Sequence, residues 1–174
     1  IQRLGLENTF MAGLCRIGAP LLVDYQTPAN SREDIDTDPD RYNQTTVTDI
    51  GMLLADMYQC AYHNGGNLQA IYPGQITQTE CIAMIELLKR NYTPFLIEAG
   101  IPDETQIAHK HGWVADNNGV INVIGDAGIV FSPSGDYVLV IYFSHPVQLV
   151  WDPISSLISE LSRAVYNYYN IPLQ

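Results

Sequence analysis

A chain of 174 residues, 47% of them hydrophobic, is long enough for one domain with a real core, which excludes global disorder. Its formal net charge of −11 argues against nucleic acid and anionic membrane surfaces, because phosphate binding needs clustered Lys and Arg. No apolar stretch approaches the ~20 residues of a membrane span, and the three cysteines, Cys15, Cys60 and Cys81, form no Cys-x-x-Cys motif of a zinc or redox site.

In chain order, residues 1–45 read as irregular. "IQRLGLENTFMAGL" has room for a short helix, and "DYQTPANSREDIDTDPDRYNQ" is a long polar loop with two prolines, a kind that is functional or disordered in a compact domain. A helix is predicted over 46–62, capped by Thr46 with Asp49 three residues on, a capping-box spacing with Asp in place of Glu. Ile50, Leu53, Leu54 and Met57 recur at helical spacing and Gly65-Gly66 ends the segment. A second helix is predicted over 77–90, with a capping box from Thr77 to Glu80 and Ile82, Ile85 and Leu88 or their neighbours buried. "TPFLIEAG" reads as a helical turn, with Pro94 at its first position and Gly100 as its stop.

The pattern then changes to three strands, about 106–114, 119–132 and 136–144, joined by the turn sequences "ADNNG" and "SPSGD". Connections this short make the strands antiparallel neighbours. A last helix is predicted over 153–168, with Asp152 as cap, Pro153 at the first position and a buried stripe of Ile154, Leu157, Ile158, Leu161 and Val165. Helices, a meander and a helix make an α+β fold: a three-strand antiparallel sheet with flanking helices. The run "YVLVIYF", 137–143, is apolar at every position, as in a strand covered on both faces and central in its sheet. The meander supplies one neighbour only. The expectation is that another strand belongs to sequence before Ile1, so that the fold is incomplete without an N-terminal portion.

Two stretches have the residue types of a metal site. In "IAHKHGWV", 107–114, strand alternation puts His109 and His111 on one face and Lys110 on the other. A His-x-His pair needs a third ligand, and His63 and His145 stand in no recognisable ligand spacing. Hydrogen-bonded strand histidines are the commoner reading, and no metal or cofactor is assigned. A lysine followed closely by Gly112 suggests a fixed cation beside a place where backbone approaches a ligand. In "EDIDTDPD", Asp34, Asp36, Asp38 and Asp40 alternate like the start of a calcium loop, but Pro39 and Thr45 occupy the positions that need Gly and Glu. A solvated acidic loop is the favoured reading.

"AHKHGW", then "GDAGIVFSPSGDYVLVIYFS" and a terminal helix, resembles the C-terminal half of the penicillin-recognising serine hydrolases, the class A β-lactamase-like family. There the strand carries Lys-Thr/Ser-Gly. Lys110 and Gly112 match, and His111 replaces the hydroxyl residue. Upstream, "LGLENTFM" resembles the segment after the family's Ser-Asp-Asn motif. "NQTTVTDIGMLLADMY" resembles the helix start that follows its omega loop, with Val47 in the usual Pro position.

The resemblance implies one domain over 1–174, omega-loop-like in 1–45, helical in 46–100, with sheet and terminal helix in 101–174. It implies acyl transfer by a serine nucleophile on an amide or ester, β-lactams among the candidates. The alternative is a non-catalytic binding or structural module that keeps the fold. The family's Ser-x-x-Lys and Ser-Asp-Asn motifs do not occur in this chain, so the chain alone is expected to be catalytically silent. Lys110 would stand in the cleft, the backbone N–H of Trp113 would be one oxyanion donor, and His111 and Gly112 would line the substrate site. The omega loop's Glu-x-x-x-Asn has no clear match in 24–43. The family is commonly bacterial and exported, which permits disulfides. Cys60 ends one helix and Cys81 begins the next, so a bridge and two buried thiols are both open, with Cys15 unpaired. The implied partners are a small-molecule or peptide substrate, and either a missing N-terminal half or a second copy paired through strand 136–144.

Overall fold

The computed structural model describes residues 1–11, 26–34, 43–91, 94–115 and 118–171. Cys15 and most of the acidic loop lie outside the described residues. Of that loop's four aspartates only Asp34 is described, and it is ion-paired with Arg32.

A 3-10 turn at Gln2–Leu4 is followed by β1 (Phe10–Met11), which pairs antiparallel with β2 (Asn43–Gln44). Helix α1 (Val47–His63) starts at Thr46, whose hydroxyl accepts from the Asp49 N–H. Asp49 does not complete a capping box. Its buried carboxylate turns to the N-terminal segment instead, accepting from the Asn8 N–H at 2.8 Å and the Thr9 hydroxyl at 2.7 Å. Helix α2 (Asn67–Ile71) is short, and α3 (Gln78–Lys89) opens on the full Thr77–Glu80 capping box. In α3 the buried residues are Cys81 and Ile85, while Ile82 is exposed. Cys60 and Cys81 are joined by a disulfide that ties α1 to α3 inside the first core, with Leu54, Met57, Leu68, Ala108 and Ile129.

The segment after Pro94 differs from expectation. Leu96 has a positive φ of 59°, and the helical turn is only Glu98–Gly100, so Pro94 does not start it. The turn does end at Gly100, as expected, and the glycine is also required by packing. A Cβ on it would lie 2.2 Å from the Ser159 carbonyl oxygen, inside the last helix.

Strands β3 (Gln106–Ala115), β4 (Ile121–Phe131) and β5 (Tyr137–Ser144) form an antiparallel meander in the order β3-β4-β5. The central strand is β4, buried from Ile124 to Val130. Among the described residues β5 has no second strand neighbour. One sheet face, with Ala108, Ala127, Ile129, Val138 and Val140, packs on α1 and α3. The other, with Ile107, Ile124, Val130 and Tyr137, packs on the Glu98 turn and on α4 (Trp151–Tyr169).

Helix α4 is capped by Val150, without a side-chain hydrogen bond, so Asp152 is not the cap and Pro153 is the third helical residue. Its buried line is Ile158 and Ser162, flanked by Ile154 and Val165, whereas Leu157 and Leu161 are exposed. Ser162 faces inward because its hydroxyl donates to the Ile97 carbonyl at 2.8 Å, close to Gly100.

Candidate active site

Pleating divides "HKHGW" between the two sheet faces. Lys110, Gly112 and Val114 stand on one face, opposite Ala127, Gly125 and Val123 of β4. Lys110, Gly112, Val114, Val123 and Gly125, with Tyr142 of β5, frame a groove of ≈ 280 Å³. Its floor is low at Gly112, which stands opposite Gly125 of β4. The Tyr142 ring lies over Gly125, where a Cβ would be 2.1 Å from the ring. Burial, followed by the charge of Asp126, raises the Tyr142 pKa above its ordinary value. Lys110 is exposed at the groove, and its ammonium donates to the His111 carbonyl at 2.6 Å. Gly112 has nothing within 4 Å of the place a Cβ would take, so backbone there is open to close approach. Strand β3 is the outer strand of its sheet, and alternate backbone groups of such a strand point away from the ladder.

His111 and Trp113 stand on the opposite face. Their rings stack at 5.8 Å, Trp113 meets Trp151 edge-on at 5.2 Å, and Trp151 meets Phe95 at 6.3 Å. Trp113 and Phe95 remain about half exposed. Burial, followed by the Lys110 charge, lowers the His111 pKa, which favours the neutral ring. The Asn91 side-chain nitrogen stands 3.2 Å from His111 Nδ1.

His109 shares that face but is fully buried. Its Nδ1 lies 3.0 Å from both carboxylate oxygens of Asp126, also fully buried, and its Nε2 lies 2.9 Å from the Asn91 carbonyl. Burial opposes the charged ring, but the Asp126 hydrogen bond and charge, the Asn91 carbonyl and Glu98 outweigh it, so the His109 pKa is raised. Sequence reasoning missed Asp126 and Asn91. The available signal was one acidic residue, Asp126, inside an otherwise apolar strand, which has to find a partner. Among the described residues no cluster of three His, Cys, Asp or Glu is arranged to hold a metal ion.

Residues 1–169 match the sequence profile of the beta-lactamase enzyme family. The chain belongs to this family. One curated member, beta-lactamase VEB-1 of Pseudomonas aeruginosa, is 26% identical over 73 residues, which are 42% of this chain and 24% of VEB-1. Among solved structures, a point mutant of PBP-A, an acyl-enzyme complex with penicillin-G, is 24% identical with a TM-score of 0.60. That match covers 97% of this chain and 48% of PBP-A. The beta-lactamase of Sphaerobacter thermophilus DSM 20745 is 19% identical, with a TM-score of 0.63 and coverage of 99% and 52%. These two structures establish the family's α+β fold for the chain, which spans about half the length of each.

Proposed function

We propose that this chain forms one wall of a serine acyl-transfer site. Lys110 is its fixed cation, the backbone N–H of Trp113 is an oxyanion donor, and Gly112 and His111 line the substrate path. The observation that carries this reading is the "KHGW" stretch, exposed except at half-buried His111, on the outer strand β3 beside a groove floored by Gly112, in a member of the beta-lactamase enzyme family. A cation and a backbone donor held on one rigid strand stabilise the charge that develops on an attacked carbonyl oxygen without reorganising. The nucleophile lies outside these residues, since no serine here has a lysine three positions on. The substrate is an amide or ester, a β-lactam being the first to try, and an exported location agrees with the Cys60–Cys81 bridge. The outer edge of β5 accepts a further strand, from the rest of the domain or from a second copy.

Acylation of the full-length protein by a fluorescent penicillin tests the reading. Lys110→Ala should lower the acylation rate ~10²-fold or more if Lys110 matches other preorganised electrostatic groups. A wild-type rate in Lys110→Ala would exclude the role given to this lysine. No acylation of the wild-type protein would favour a non-catalytic module with the family fold.

A further inference from the structure

His109 has no part in the acyl-transfer reading, yet its ring is held at both ends. On β4, Asp126 offers both carboxylate oxygens to Nδ1 at 3.0 Å. From the end of α3, the Asn91 carbonyl meets Nε2 at 2.9 Å, and from the 98–100 turn Glu98 Oε2 stands 3.5 Å from the same atom. Ionised carboxylates and a carbonyl only accept, so this arrangement calls for a proton on each ring nitrogen, the imidazolium form. Asp126 is fixed in turn by the N–H groups of Ile97, at 3.2 Å, and Ala127, at 3.0 Å. Gly128, opposite His109 on β4, leaves the room: a Cβ there would lie 2.6 Å from the His109 Cβ. The other charged or titratable neighbours are His111 on β3, with ring centroids 6.2 Å apart, Lys110 on the opposite face of β3, and Tyr142 of β5, which feels the Asp126 charge from that opposite face.

We infer that the His109–Asp126 ion pair is a positioning device, which fixes the Lys110–Trp113 stretch of β3 relative to α3, the Glu98 turn and β4. The inference rests on the acyl-transfer reading of that stretch. An apolar pair would pack this interior at least as stably, whereas a fully satisfied buried ion pair admits only one arrangement of its partners. His109 immediately precedes Lys110, so the constraint acts directly on the residue proposed for the cleft. Asn91 extends it, since its carbonyl accepts from His109 while its amide nitrogen faces His111.

Ring-nitrogen NMR of the intact protein tests the charge. Both nitrogens of His109 should be protonated at about pH 7.5, where an ordinary histidine of pKa ~6.5 is mostly neutral. Asp126→Asn should return one unprotonated nitrogen. Acylation by a fluorescent penicillin tests the positioning. His109→Gln should slow it on the order of tenfold to a hundredfold, the scale of an ångström-sized misplacement. The alkaline loss of rate that tracks the His109 titration in the wild type should be missing from this variant. An unprotonated His109 nitrogen in the wild type at that pH overturns the inference, and so does a folded His109→Gln protein acylated at the wild-type rate. If the wild type is not acylated, the acyl-transfer reading fails. The spectra and amide exchange over 107–113 then decide the inference, with unchanged exchange in His109→Gln overturning it and faster exchange supporting it.

Discussion

Histidines 109 and 111 are two residues apart on one strand face, yet their surroundings push them toward opposite charge states. Asp126 favours the charged form of His109 against its burial, whereas burial and the Lys110 charge favour the neutral form of His111. A raised folded pKa gives stability that is fully present below the unfolded value, about 6.5, and is lost as pH rises through the folded value. Urea denaturation should therefore show the advantage of wild type over His109→Gln shrinking as pH rises past neutrality. His111 works oppositely, on the acid side, and the His109 charge is one cause of its lowered pKa, so the comparison is read above neutral pH, where His111 is neutral in both proteins. An advantage that stays constant across this range would mean that His109 is neutral in the fold. Asp126→Leu, which strands the buried imidazolium, should cost about 3–5 kcal/mol. The sequence shows Lys110, Gly112 and the shared face of the two histidines, because these follow from strand alternation. It does not show which histidine is buried. That depends on the cross-strand register that brings Asp126 and Gly128 of β4 to His109.

Helix termini are legible in the sequence where side chains make the cap, as at Thr46 and Thr77. They are not legible where backbone packing decides. Helix α4 carries apolar residues around much of its circumference, so periodicity alone assigns Leu157 and Leu161 to the core, although both are exposed. Its contact line is instead fixed by the close approach of Gly100 to Ser159 and Ser162. Gly100→Ala has to push α4 away from the Glu98 turn and should cost ~1–3 kcal/mol, as overpacking typically does, measured as a lowered urea midpoint. A midpoint equal to wild type would mean that the helix yields freely there. The Cys60–Cys81 bridge acts on the other layer. It closes a sequence separation of 21 residues, worth about 3 kcal/mol in the chain-entropy model. Unreduced protein should therefore show no alkylation at either cysteine by mass spectrometry, and reductant should lower the midpoint. Labelling of both thiols without reductant would contradict the bridge.

At the scale of the whole molecule, two properties act against each other. The formal charge of −11 disperses copies of the chain through repulsion. The outer edge of β5 would act the other way, because its backbone groups have no strand partner among the described residues and its side chains from Val138 to Ile141 are only partly buried. An open apolar edge is a template for another strand. A segment that supplies the missing neighbour would remove it, and the matched structures are about twice as long as this chain. The 174-residue chain alone should therefore self-associate, and more strongly as added salt screens the repulsion between copies. Sedimentation velocity at rising salt reads this directly. The full-length protein, with the edge covered by its own chain, should stay unchanged over the same series. A well-folded monomer of the 174-residue chain at high salt would show that the β5 edge is satisfied within these residues, and that no further strand is needed.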